Sequence, residues 1–188
     1  MIVHRHERIL DPTRTALVVI DVQEAFRQVI PDSASFAARI STLVRGMQTQ
    51  GVPVLVTEQY PRGLGHTVRE ILDVLEPESP IIEKTAFSSC GAPEFVDRLN
   101  ASGRDQVVVA GIEAHICVNQ TVHDLLAMGK QVHLAIDCIS ARAELNRTAA
   151  LTKMQASGAL STTTEMSLFE LMRDARQEHF KAIQALIK

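Results

Sequence analysis

Residues 106–129, QVVVAGIEAHICVNQTVHDLLAMG, predict a buried strand that passes directly into a helix. The first seven residues, QVVVAGI, form an apolar run of the kind found in strands buried on both faces. The segment VNQTVHDLLAMG has helical spacing and ends at Gly129. Cys117 lies at the junction, so it is either a nucleophile at a helix N-terminus or a small buried residue.

The same alternation of apolar runs and helical segments extends along the whole chain. A helix is expected from about Ser33 to Gly51, and another over 66–75. Alternating strands and helices with short connections predict right-handed crossovers and a parallel sheet covered on both faces. We therefore expect a single domain over 1–188, a three-layer α/β sandwich. Its six strands are predicted at 16–21, 53–59, 81–85, 106–112, 131–137 and 159–164.

Composition limits the classes of function. The chain has 188 residues, 46% of them hydrophobic, and a formal net charge of −3. Aromatic residues make up only 4%, which argues against a base-stacking surface, and the negative net charge argues against a phosphate-backbone binder. We therefore predict no nucleic-acid partner. No apolar run approaches the length of a membrane span, and no membrane partner is predicted. Three cysteines without close pairing suit a reducing compartment, and we expect a cytoplasmic protein.

Polar residues stand at the carboxyl ends of the predicted strands, where open α/β sheets bind their ligands. Asp21, Gln59, Lys84 and Cys117 each follow or end a different strand. The turn after the first strand, DVQEAFRQ, contains no glycine, which excludes a dinucleotide fingerprint and a P-loop. A haloacid-dehalogenase-type phosphatase would need a second acid at position 23, which is Gln.

Each of these residues alone has an ordinary structural explanation. Asp21 could cap a helix, Lys84 could be a solvated surface residue, and Cys117 could simply be buried. Together they place an acid, an amine and a thiol at one edge of the sheet. Two other readings remain open: a catalytically silent binding or scaffold protein of the same fold, and a redox protein that pairs Cys117 with Cys90 or Cys138.

Several segments resemble the isochorismatase-like cysteine hydrolase family, and within it the small isochorismatase-domain-containing proteins of bacteria and mitochondria. They are ALVVIDVQEAF, VLVTEQYPRGLG, EKTAFSS, GIEAHICVNQTVHDLLAMG and DCISAR. The resemblance implies a Rossmann-like, mainly parallel sheet in the order 3-2-1-4-5-6. It implies a catalytic triad of Asp21, Lys84 and Cys117. It also implies a cis peptide bond between Ile112 and Glu113, with the N–H groups of Glu113 and Cys117 forming an oxyanion hole.

The activity that the resemblance implies is hydrolysis of a small amide or related C–N acyl substrate. Cys117 would attack a carbonyl carbon and form a thioester, and Asp21 would act as base, then acid, then base. Lys84 would supply the positive charge that a Cys–Asp pair lacks, because the helix dipole alone shifts a thiol pKa by less than about one unit. In the strand order above, Lys84 must reach Asp21 across two strand spacings, roughly 10 Å.

The chain departs from the metal-binding members of the family. TEQYPRGLGHT has no Asp-x-His pair, and His66 alone is a poor metal site, so neither a metal nor another cofactor is expected. By position, the expected substrate pocket includes Phe26, Gln59, Tyr60, Phe87 and Ser88. By resemblance, the protein is expected to form a homo-oligomer.

Overall fold

Six parallel strands form one sheet in the order β3-β2-β1-β4-β5-β6 in the computed structural model, which describes residues 5–188. This arrangement confirms the predicted fold class, strand order and strand positions. Strand β5 runs two residues beyond its predicted end at 137. The strands are β1 Thr15–Ile20, β2 Val54–Gln59, β3 Ile81–Lys84, β4 Gln106–Gly111, β5 Gln131–Ile139 and β6 Leu160–Thr162.

Helices cover both faces of the sheet, as expected for a sandwich of three layers. Helices α1, α7 and α8 pack on one face with Val19 and Val56, and α4, α5 and α6 pack on the other with Val18 and Leu55. Among residues 5–188, no helix is both long and apolar enough to cross a bilayer. The helices are α1 Ser33–Thr49, α2 Pro61–Leu64, α3 Arg69–Leu72, α4 Pro93–Ala101, α5 Asn119–Ala127, α6 Glu144–Ala156, α7 Thr164–Met172 and α8 Phe180–Ile187.

The helix predicted over 66–75 is wrong in length: only α3, a single turn, is helical there. The buried Glu58 carboxylate explains why the helix begins late. Its Oε1 accepts hydrogen bonds from the N–H and the hydroxyl of Thr67 at 2.6 and 2.7 Å. The chain is therefore held in an extended conformation up to Val68, which has φ −62° and ψ 145°, and the helix cannot begin earlier.

The carboxyl ends of β1 and β4 lie side by side, and Gly111 faces the Ile20 backbone there. Gly111 pairs with Ile20 and has a φ of 124°, which a residue with a Cβ rarely adopts. A Cβ on Gly111 would overlap the Ile20 carbonyl oxygen. This close approach brings Asp21, directly after β1, next to the segment 112–117 that follows β4.

Candidate active site

Asp21 is fixed at the end of β1 by two hydrogen bonds to one residue. Its N–H donates to the Thr57 carbonyl at 3.0 Å, and its Oδ1 accepts from the Thr57 hydroxyl at 2.7 Å. Asp21 has a φ of 54° and is only 1% exposed. A carboxylate so deeply buried requires partners for both oxygens.

Lys84 supplies the second partner. Its Nζ lies 2.7 Å from Asp21 Oδ2, and the two side chains are 0% and 2% exposed. Because β2 lies between β3 and β1, the long aliphatic part of the Lys84 side chain extends across β2 to reach Asp21. The ammonium also donates to Gln59 Oε1 at 2.7 Å and to the carbonyls of Ala86 and Phe87 at 3.2 and 3.0 Å. Three ammonium hydrogens are thus shared among four acceptors, and the charge has one fixed position.

Cys117 lies in a π-helical turn, Ala114–Val118, that leads into α5, and it is 7% exposed. The charges of Asp21 and Lys84 act on the thiol in opposite directions. Burial, followed by the negative charge of Asp21, raises the pKa of Cys117 to about 12, and Lys84 lowers it. Burial therefore keeps the thiol protonated at neutral pH, and the negative charge of Asp21 opposes the positive charge with which Lys84 would favour the thiolate.

The peptide bond between Ile112 and Glu113 is cis. The Glu113 carbonyl accepts hydrogen bonds from the N–H groups of Ile116 and Val118, at 3.0 and 3.3 Å, on either side of Cys117 in sequence. The buried Glu113 carboxylate accepts from the N–H and the Nε of Arg142, at 3.1 and 2.9 Å. The loop after β5 therefore clamps the segment that carries the proposed oxyanion-hole groups.

The residues expected to form a substrate pocket fall into separate groups. Gln59 and the Phe87 carbonyl contact Lys84, and Phe87 itself is 55% exposed. Tyr60, 54% exposed, lines a cavity of about 470 Å³ together with Lys84. Ser88 is buried, and its hydroxyl accepts from the Cys90 N–H, which gives it a role in shaping the loop. Phe26 is half-buried and lies elsewhere, in a small hollow that it shares with Ile112.

Two polar residues at the site, Thr57 and Gln23, were not predicted from the sequence as site residues. Thr57 is fully buried in β2 and binds Asp21, and Gln23 donates to the carbonyls of Gln59 and Gly65 while accepting from the Gln59 N–H. The only signal for Thr57 is a hydroxyl within the otherwise apolar run VLVT. The signal for Gln23 is its place directly after the first strand.

The remaining titratable residues form neither a metal cluster nor a disulfide in the described part of the chain. No three His, Cys, Asp or Glu side chains between residues 5 and 188 converge as metal ligands. His66 instead pairs with Glu58 at 3.0 Å. Cys90, Cys117 and Cys138 are all free thiols, so the redox reading has no disulfide to support it.

Comparison with known proteins gives consistent matches. The isochorismatase domain matches residues 15–166. Isochorismatase domain-containing protein 2 from Macaca fascicularis is 40% identical over 182 residues, which cover 94% of this chain and 84% of that protein. Isochorismatase domain-containing protein 1 from Salmo salar is 37% identical, and the match covers 95% of this chain but 62% of that longer protein. A solved structure, the MAR1 ribonuclease from Caenorhabditis elegans, has a TM-score of 0.91 and 38% identity, with 95% and 91% of the two chains covered.

Proposed function

Because the chain belongs to the isochorismatase family, whose fold is that of a hydrolase, we propose that it is a cysteine hydrolase. In this proposal it cleaves a small amide or related C–N acyl substrate through a thioester on Cys117. The observation that carries the proposal is the buried Lys84–Asp21 ion pair, 2.7 Å between Nζ and Oδ2, beside the thiol at the start of a helical segment. A nucleophile, a base and a group that orients the base are the parts that covalent catalysis requires.

The first step in the proposed cycle is a coupled proton transfer. Since the Cys117 thiol is protonated at rest, attack on a carbonyl carbon requires a base at the moment the S–C bond forms. Asp21 is that base, and it takes the thiol proton. Lys84 stays charged throughout and offsets the negative charge that passes between the carboxylate and the sulfur. The oxyanion that forms is held by the N–H groups of Glu113 and Cys117.

The cycle closes with the same carboxyl group acting twice more. Asp21 gives its proton to the nitrogen as the C–N bond breaks, which leaves an acyl group on Cys117 and releases the amine. It then takes a proton from a water molecule as that water attacks the thioester. The C–S bond breaks, the acid product leaves, and the proton returns to the sulfur.

Burial of the site favours a small substrate. Asp21, Lys84 and Cys117 are each 7% exposed or less, so only a compact carbonyl group can reach them. Gln59, Tyr60 and Phe87, on the Lys84 side, are proposed to contact the rest of the substrate. The name of the Caenorhabditis elegans relative suggests RNA cleavage, which the buried thiol does not favour. A silent scaffold is the other alternative, and the geometry of the three side chains speaks against it.

We further propose that the protein works without a cofactor, in the cytoplasm and as a homo-oligomer. Three free cysteines suit a reducing compartment. Large apolar side chains on the surface, including Leu145 at 81% exposure, suit burial against a second copy. Light scattering after size exclusion tests this expectation, and a monomer at micromolar concentration would contradict it.

A panel of small primary amides, ureas and carbamoyl compounds tests the proposed reaction. We expect at least one to release ammonia and to leave a transient acyl adduct on Cys117, detected by mass spectrometry after acid quenching. Cys117→Ser and Asp21→Asn are expected to remove both signals. Cys138→Ser is the matched control, because Cys138 is also a buried thiol but bonds only Thr164. Turnover that survives Cys117→Ser, or cleavage of an RNA oligonucleotide alone, would contradict the proposal.

A further inference from the structure

A chain of buried hydroxyl groups connects Asp21 to helix α5. Thr57 Oγ1 lies 2.7 Å from Asp21 Oδ1 and 3.5 Å from Ser89 Oγ. Ser89 Oγ lies 3.2 Å from Thr121 Oγ1, one helical turn after Cys117. Thr57, Ser89 and Thr121 are all 0% exposed. The steps of the catalytic cycle use none of these hydroxyls.

The direction of each hydrogen bond follows from what its partners can do. Thr121 Oγ1 accepts from the Ser89 N–H at 2.8 Å, so its own hydrogen is free to go to Ser89 Oγ. Asp21 is an acceptor at the other end, because a carboxylate has no hydrogen to donate. The relay therefore runs from Thr121 to Ser89, then to Thr57, then to Asp21. Its weakest link is the 3.5 Å contact between Ser89 and Thr57.

We propose that Thr57 is a positioning residue for the Asp21 carboxylate, and that Ser89 and Thr121 orient its hydroxyl through this buried relay. Thr57 holds the acid by its main-chain carbonyl as well as by its hydroxyl, at 3.0 and 2.7 Å. With Lys84 on Oδ2 and Thr57 on Oδ1, the acid keeps one orientation. The role matters to catalysis only if Asp21 is the proton acceptor, and to that extent the inference rests on the proposed function.

The charged groups near Asp21 bind other atoms, so the Thr57 hydroxyl is the hydrogen-bond donor to Asp21 Oδ1. Lys84 approaches from β3 and binds Oδ2, and Cys117 approaches from the π-helical turn. Glu58 follows Thr57 in β2 and points to the opposite face of the sheet, where Thr67 and His66 bind it. Glu113, after β4, is bound by Arg142. Removing the Thr57 hydroxyl therefore leaves Oδ1 without its donor.

The test compares Thr57→Val with Thr57→Ser, because valine keeps the shape of threonine and serine keeps its hydroxyl. The direct readout is the ¹³C resonance of the Asp21 carboxyl group against pH, assigned by its loss in Asp21→Asn. A hydrogen bond to a charged group corresponds to about one to two pH units. We expect the midpoint of protonation of Asp21 to rise by about that amount in Thr57→Val and to return to its wild-type value in Thr57→Ser. Ser89→Ala is expected to give a smaller rise.

Thr15→Val is the matched control, since Thr15 is also a fully buried threonine in the sheet, and its hydroxyl binds the Asp11 carbonyl instead. An unchanged Asp21 midpoint in folded Thr57→Val, or an equal shift in Thr15→Val, overturns the inference.

A second readout is the rate of iodoacetamide alkylation of Cys117 against pH. The pH below which the thiol loses reactivity is expected to rise in Thr57→Val by the same interval as the carboxyl midpoint. An ordinary thiol profile in the wild type, combined with a shifted carboxyl midpoint in Thr57→Val, would count against the proposed hydrolase and leave the role of Thr57 standing.

Discussion

Replacing Lys84 by methionine removes a buried charge while keeping most of the volume of the side chain. In the wild type, the ammonium holds Asp21 Oδ2 at 2.7 Å, and both side chains are at most 2% exposed. Solvent therefore cannot take the place of the missing partner. Removing one member of a buried ion pair destabilises a protein by about 3–5 kcal/mol. We expect Lys84→Met to lower the free energy of unfolding by about that amount, measured by urea denaturation at pH 7.

The double variant Asp21→Asn/Lys84→Met separates the ion pair from lost packing. Because it buries no charge, it is expected to be more stable than Lys84→Met alone, by about 2 kcal/mol or more. Lys130→Met is the control, since the Lys130 ammonium bonds only the Arg104 carbonyl, at 2.9 Å, and its loss is expected to cost less than about 1 kcal/mol. A loss below about 1 kcal/mol in Lys84→Met, or a double variant as unstable as the sum of the two single variants, would refute this reasoning.

Three further predictions concern other parts of the molecule. Burial lowers the pKa of His133 to about 4, so the unfolded protein binds a proton at this histidine before the folded protein does as the pH falls. The free energy of unfolding is expected to be full above about pH 6.5 and to decline by about 3 kcal/mol toward pH 4. In urea titrations, His133→Gln should flatten this decline. Gly111→Ala is expected to prevent folding or to lower stability by several kcal/mol, because its φ is 124° and a Cβ there would overlap the Ile20 backbone. Gly51→Ala, at a φ of 69° and with nothing near its Cβ, should cost only about 1 kcal/mol, and equal effects would contradict the close approach to Ile20. Because Arg142 binds the Glu113 carboxylate, Arg142→Gln is expected to slow acylation of Cys117 by any amide substrate and to leave its alkylation by iodoacetamide unchanged. A parallel loss of both rates would contradict this role of Arg142.

The sheet could be predicted from sequence because its strands are continuous apolar runs. ALVVID and QVVVAGI have almost no competing interpretation once helices separate them. The helix over 66–75 could not be predicted correctly, because its late start depends on the Glu58 carboxylate binding Thr67. That contact joins strand β2 to the segment before α3 through a side chain, and no local pattern indicates it.

The candidate site likewise includes residues that could be predicted from the sequence and residues that could not. Asp21, Lys84 and Cys117 could be chosen because each ends or follows a strand, and the resemblance to a family grouped them. The contributions of Thr57, Ser89 and Thr121 could not be foreseen. Each is a small polar residue in an ordinary context, and only the fold brings their hydroxyls into one line with Asp21. The high pKa of the Cys117 thiol likewise follows from burial, which the sequence does not quantify.

The most direct test of the account compares two cysteines in the same protein. Cys90 is half-buried, and burial raises its pKa to about 11, while Cys117 is 7% exposed with a pKa of about 12. By exposure and pKa alone, Cys90 should react faster with iodoacetamide at pH 7. If Asp21 acts as a base for Cys117, peptide mapping will show faster alkylation of Cys117 than of Cys90, and Asp21→Asn will reverse the order. Slower alkylation of Cys117 in the wild type, unchanged in Asp21→Asn, would contradict the account.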